Sequence, residues 1–211
     1  MFKPILSTFV LLASTAIAQA DSAPMSFDVA EDHTRIFMAA QPVHDNGMPA
    51  HGNAFLSQGY IYPAGTLNDG TKGVNLDGTP AFPGLVLGTW TCDGYFVGDG
   101  GNATSGVWVI SRQVFEFNDG DTVITQGPEI ADIGKKNLRP ITGATGDYAE
   151  IEGGLIQITL GFNDFMAINA TFAFETAPSD QAAYTIDEDD VLEWDSGAPV
   201  GPIEDRPDTN S

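Results

Sequence analysis

Alternation of apolar and polar positions carries most of the information in this chain. Val107 to Phe117 is the clearest case. Val107, Val109, Ser111, Gln113, Phe115 and Phe117 fall on one face of an extended segment, and Trp108, Ile110, Arg112, Val114 and Glu116 on the other. Both faces carry bulk. Leu85 to Phe96 alternates in the same way, with Leu85, Leu87, Thr89, Thr91, Asp93 and Tyr95 opposite Val86, Gly88, Trp90, Cys92, Gly94 and Phe96. Asn118-Asp119-Gly120-Asp121 is a hairpin signal leading into a strand over Thr122 to Gln126. Further strands are predicted over Thr34 to Ala40, Phe55 to Tyr62, Leu138 to Thr142, Leu155 to Phe162 and Met166 to Phe174, the last with Ile168, Ala170, Phe172 and Phe174 on one face. Between them, Gln41 to Asn53, Pro63 to Pro83 and Gly98 to Gly106 are rich in Gly, Pro, Asn and Asp and read as connections. No mature segment holds an apolar period of 3.6 between helix caps, so a βαβ architecture has little support. An all-β meander fits, and closing it into a barrel removes the exposed edges of an open sheet.

The two ends of the chain read differently. Met1-Phe2-Lys3, an apolar run from Ile5 to Ala18 and the small residues of Ala18-Gln19-Ala20 form a signal peptide, with cleavage expected after Ala20. The run is too short and too rich in Ser and Thr for a permanent span, so no stable membrane insertion is expected after cleavage and the protein is expected to be secreted or periplasmic. From Thr176 onward acidic residues and Pro dominate and Arg206 is the single base, which predicts a mostly disordered tail with one apolar patch at Val191, Leu192 and Trp194. The expected organisation is a signal peptide (1–20), an N-terminal leader and loop (21–54), a barrel domain (55–176) and an acidic tail (177–211).

Formal charge is −21, with 29 acidic residues against 8 basic. Such a surface disfavours nucleic acid, whose binding needs clustered Lys and Arg. Cys92 is the only cysteine, so no intramolecular disulfide can form and the fold must be held by its core.

Three segments resemble a known family. Gly88-Thr-Trp-Thr-Cys-Asp-Gly-Tyr-Phe96, Ser111-Arg-Gln-Val-Phe-Glu-Phe117 and Arg139-Pro-Ile-Thr-Gly-Ala-Thr-Gly-Asp-Tyr148 look like the dirigent and allene oxide cyclase barrel superfamily. The third weighs most. Ile141 to Gly146 follow the family's turn phrase except that Ala144 replaces a Gly, which marks Gly143, Thr145 and Gly146 as a structural turn. The resemblance covers about residues 55 to 174. It implies a single antiparallel, calycin-like, eight-stranded β-barrel with a largely apolar cavity, assembly into homo-oligomers such as trimers, and either stereochemical steering of a reactive intermediate or ring closure without a cofactor.

Trp90, Cys92 and Phe96 share one strand face and would line the cavity if that face turns inward. Ser111 and Gln113, with Phe115 beside them, are either polar handles in an apolar pocket or an interior hydrogen-bonded pair. Cys92 has no predicted base near it to make thiolate, which favours an inert buried thiol. Asp93, Arg112, Glu116 and Arg139 could supply charge, but alternation sets Arg112 and Glu116 opposite Gln113, so at most one of those sets faces the lumen. The glycines of Thr142 to Gly146 imitate a dinucleotide fingerprint, but neither a following helix nor a βαβ unit supports it. Asn75, Asp77 and Gly78 fail an EF-hand register, and His33, His44 and His51 all sit in loop-like sequence, so no metal site is expected.

Three functions remain open: a barrel that binds an apolar small molecule and isomerises, cyclises or steers it, a non-catalytic carrier, and a surface or matrix interaction protein. A polar pair at the cavity base favours the enzyme, and an all-apolar sealed cavity the carrier. For the assembly, the apolar outer face of Val107 to Phe117 predicts a covering subunit over Trp108, Ile110 and Val114, with Gln113 turned inward.

Overall fold

The computed structural model describes residues 25–163 and 167–175. The expected signal peptide (1–20), Met166 and the expected acidic tail (177–211) lie outside the described residues. Nine strands follow in chain order: β1 (Ser26–Glu31), β2 (Phe37–Met38), β3 (Ala54–Pro63), β4 (Gly88–Phe96), β5 (Val107–Phe117), β6 (Thr122–Ile130), β7 (Lys136–Ala144), β8 (Gly154–Phe162) and β9 (Ile168–Phe174). Each neighbour pairs antiparallel from β3 through β9, and β1 then bridges β9 to β3. That pairing closes an eight-stranded barrel, and two-residue β2 hangs on β3 outside the ring. No α-helix occurs among the described residues, only single 3₁₀ turns.

The strand alternation read from the sequence holds through most of the barrel. In β5, Val109, Ser111, Gln113, Phe115 and Phe117 are buried, whereas Ile110, Arg112 and Glu116 are exposed. In β4, Trp90, Cys92 and Phe96 point inward and Thr89 and Tyr95 outward. At the β5–β6 hairpin, Gly120 takes φ 97°, the left-handed conformation that the turn requires and that a side chain would strain.

Three expectations need correction. The N-terminal leader and loop expected over 21–54 holds a strand of the barrel, since β1 lies within it with Phe27 and Val29 buried in the lumen. Its outer face is buried as well: the long β3–β4 connection lies over it, and the Leu67 N–H donates to Asp28 Oδ2 at 2.9 Å. Gly143 is not a turn residue. It pairs with Ile124 inside β7, and the turn itself begins at Thr145 and passes through Gly146, whose φ is 60°. Trp108 does not face outward beneath a partner. Val107 pairs with Ile130 and Val109 with Glu129, so Trp108 is an extra residue in a β-bulge, and bulges re-aim side chains. The indole turns toward Phe96 and Phe162, with ring centroids 5.7 and 6.3 Å away.

Three layers fill the barrel along its axis. The end that holds the β5–β6 and β7–β8 turns is plugged by aromatics. Phe27 stacks on Phe172 at 5.5 Å, and Tyr148 lies between Phe117 at 5.0 Å and Phe174 at 5.1 Å. The family-like turn thus delivers Tyr148 to the plug, anchored by Thr145 Oγ1 accepting from the Thr122 N–H at 2.9 Å and by Asp121 Oδ2 accepting from the Asp147 N–H at 2.8 Å. Above the plug lies a polar layer, and above that the lumen opens.

Candidate functional site

The polar layer is a ring of side chains contributed by four neighbouring strands. Arg139 Nε donates to Thr125 Oγ1 at 3.1 Å, the Thr125 hydroxyl donates to Gln113 Oε1 at 3.3 Å, and Gln113 Nε2 donates to Gln157 Oε1 at 3.1 Å. Gln157 Nε2 then donates to Glu129 Oε2 at 2.8 Å, the Ser111 hydroxyl donates to Glu129 Oε1, and Arg139 Nη2 closes the circuit on Ser111 Oγ at 2.9 Å. Arg139 and Gln113 are fully buried, and Arg139 Nη1 lies 3.7 Å from Glu129 Oε1. A buried charge pair is tolerable only when its remaining hydrogen-bonding capacity is satisfied, and this ring does so.

The ring forms part of the floor beneath a cavity of about 470 Å³. Its walls are apolar: Trp90, Phe96, Val109, Phe55 and Ile168 come from the strands, and Trp108 and Phe162 stand nearer the rim. Two loops complete the open end. Asn53 Nδ2 ties down the first by donating to Ala39 O and Pro42 O, each at 2.8 Å. The second is latched to it through His44 Nε2 and Asp99 O at 2.9 Å, the Gly98 N–H donating to His51 Nδ1 at 3.1 Å, and Asn46 Nδ2 donating to Asn102 Oδ1 at 2.8 Å. The histidines His44 and His51 therefore serve loop architecture, and His33 contacts Leu76 O at 3.2 Å.

Two carboxyl groups reach this apolar space, Glu31 from the end of β1 and Glu129 from β6. Burial pushes the Glu31 carboxyl up to about 7, against the lowering effect of Ser57 and of the Ile168 N–H, which donates to Glu31 Oε2 at 2.7 Å. The nearby Glu129 raises it further. Cys92 also lines the cavity, its Sγ 3.5 Å from Glu129 Oε1. Burial first, and the Glu129 carboxylate second, hold its thiol well above the ordinary range, so it is not a ready nucleophile. The indole N–H groups of Trp90 and Trp108 are buried without a hydrogen-bond partner among the described residues.

Of the residues singled out in the sequence, Trp90, Cys92 and Phe96 line the cavity. Ser111, Gln113 and Phe115 do not: the first two are consumed by the ring, and Phe115 packs into the plug, 5.2 Å from Phe27 and 5.0 Å from Phe172. Arg112 and Asp93 pair with each other at 2.8 Å on the outer surface, and Glu116 is exposed, whereas Arg139 points inward. Glu31 and Glu129, the only carboxyl groups lining the cavity among the described residues, were not singled out.

No family model and no curated protein matches the chain. Among solved structures it is similar to a pyocyanin demethylase (13% identity, 70% of this chain and 96% of that one, TM-score 0.43). It is also similar to two pterocarpan synthase dirigent proteins, both at 13% identity. One alignment covers 72% of this chain and 94% of that one with a TM-score of 0.47, and the other 74% and 86% with a TM-score of 0.48. The closed eight-stranded antiparallel barrel is the fold that the sequence resemblance to dirigent and allene oxide cyclase barrels implied.

Proposed function

We propose that this barrel binds an apolar small molecule in its cavity and isomerises or cyclises it by proton transfer without a cofactor. The observation that carries this reading is a mostly apolar cavity of about 470 Å³ whose lining includes two buried carboxyl groups, Glu31 and Glu129. A volume of that size suits a small organic ligand. Confinement by apolar walls would hold such a molecule in a folded, reactive shape. Glu31, held near 7, can give or take a proton around neutral pH, which is where a general acid or base is most effective. Glu129 is fixed by Ser111, Gln157 and Arg139, and would stabilise positive charge developing above it. The pair of lining carboxyl groups favours this reading over a carrier with a sealed apolar cavity.

Native mass spectrometry of protein purified from its source would identify a retained ligand. Incubating that ligand with the protein in deuterium oxide would then show product formation with deuterium at the reacting carbon. Glu31→Gln is expected to lower the turnover rate by at least a hundredfold while the ligand still binds. An unchanged rate in that variant would remove the proton-transfer reading, and binding without any turnover by the wild type would leave the carrier. Export rests on the three-part leader ending at Ala20, and the prediction is a mature N-terminus at Asp21 in the exported fraction.

A further inference from the structure

The charge that lines the cavity is one-sided. Among the described lining residues there is no Lys, Arg or His, whereas Glu31 and Glu129 both reach the space. Arg139, the cation beside Glu129, is fully buried in the ring, and each of its three nitrogens is engaged. Nε donates to Thr125, Nη1 to the Gly127 and Pro128 carbonyls, and Nη2 to Ser111. It has no N–H fork to offer a ligand.

These facts weigh very differently on ligands of opposite charge. An anion would lose its hydration in an apolar space and find two carboxyl groups in place of a counter-charge, which is a costly arrangement. The indole N–H groups of Trp90 and Trp108 could serve a carbonyl or ether oxygen, but they carry no net charge. A cation meets the reverse situation. The Glu31 carboxyl can ionise to become its partner, Glu129 adds to the field, and Trp90, Phe96 and Trp108 bring aromatic rings to the same space, where a desolvated cation gains from their faces. The overall charge of −21 also draws cations toward the molecule and repels anions.

We propose that the cavity selects amphipathic cations, molecules with an apolar body and one positively charged nitrogen seated against Glu31 and Glu129, and that it discriminates against carboxylates of the same shape. This rests on the reading that the cavity binds an apolar small molecule, and it adds the charge class. Binding is coupled to the Glu31 proton. The groups that act on Glu31 are Ser57 on β3, the Ile168 N–H on β9 and Glu129 on β6. The Cys92 thiol on β4 is coupled to Glu31 as well, and Arg139 on β7 bears on the cluster through Glu129. With the carboxyl held up to about 7, it is mostly protonated at pH 6 and mostly ionised at pH 8. A bound cation favours the ionised form, so affinity rises with pH and binding below neutrality releases a proton.

Three probes that share one naphthalene body test this on the full chain by titration calorimetry: (2-naphthylmethyl)trimethylammonium, whose charge does not titrate, neutral 2-neopentylnaphthalene, and 2-naphthylacetate. The ammonium is expected to bind at least tenfold tighter than the neutral probe at pH 8, and the acetate at least tenfold weaker. The ammonium alone should tighten severalfold from pH 6 to pH 8, with proton release visible as a dependence of the measured heat on buffer at pH 6. Glu31→Gln should flatten that pH response. Should that variant not fold, the order of the three wild-type affinities decides the matter by itself. Acetate binding as tight as ammonium binding, or ammonium binding no tighter than neutral, overturns the charge selection while leaving an apolar ligand in place. Failure of all three probes to bind overturns both readings.

Discussion

Glu31 ends β1 with its carboxyl buried against Ser57 and the Ile168 amide, and its proton has a consequence for stability as well as for chemistry. The folded chain holds this proton up to about pH 7, whereas the unfolded chain releases it near 4.5. The sign follows from linkage: the group's contribution is fully present below 4.5, is lost as pH rises to 7, and is constant above that. The size is about 3 kcal/mol, from 1.36 kcal/mol for each unit of difference. Glu31→Gln keeps an oxygen for the Ile168 N–H and cannot ionise. The variant should therefore gain about 3 kcal/mol relative to the wild type between pH 4 and pH 8, measured by urea unfolding at both. Comparing the two proteins cancels the titration of the other carboxylates. A difference that does not change with pH would show that the Glu31 carboxyl is not held up. Glu31 and Glu129 were hard to see in the sequence for separate reasons. Glu31 sits in an acidic stretch that resembles a solvated leader, and Glu129 follows Gly127-Pro128, a pair that reads as the end of a strand. Ser111 and Gln113 could be read as interior residues from alternation, but their partners lie on other strands, at Thr125, Glu129, Arg139 and Gln157, and no local pattern links those positions.

At the scale of elements, alternation located β3 to β9 to within a few residues, because each keeps one face in the lumen and most of the other toward solvent, the covered exceptions being Tyr62 on β3 and Asn169 on β9. It failed at β1, where both faces are covered: Phe27 and Val29 face the lumen, and Asp28 and Ala30 lie under the long connection that brings Leu67 and Val74 across them. A strand buried on both sides loses the period of two on which the reading depends. It failed again at Trp108, where the bulge shifts one residue out of register. The role of β1 can be measured. Phe27 touches the rings of Phe115, Phe117, Phe172 and Phe174 and so joins β1 to β5 and β9 through the plug. Phe27→Ala should cost about 3–5 kcal/mol, the usual result of emptying a packed aromatic site. Chemical denaturation checks it, and a cost below about 1 kcal/mol would mean that β1 is not part of the cooperative barrel.

For the whole molecule, the outer surface is what bears on assembly. With Trp108 turned into the cavity mouth, the outside of β4 and β5 is less apolar than the sequence suggested. The Arg112–Asp93 pair occupies part of it, and Val114 is half-buried. What remains exposed is a stripe in which Tyr95 on β4 lies directly opposite Ile110 on β5, with Val107 further along β5 and Leu56 on β3. The proposal of a homo-oligomer, which the family resemblance extends to a trimer, now rests on these residues. Apolar residues that are contiguous and face solvent are commonly covered by a symmetric copy. Ile110→Asp combined with Tyr95→Asp should dissociate the assembly, seen as a fall to the monomer in sedimentation velocity, with circular dichroism unchanged because both side chains point away from the lumen. Trp108→Asp should instead leave the assembly intact and disturb the cavity mouth, where the ring meets Phe96 and Phe162. That contrast separates the outer stripe from the cavity rim. A wild-type protein that sediments as a monomer at tens of micromolar would end the assembly proposal, and dissociation by Trp108→Asp alone would return the bulged indole to the interface.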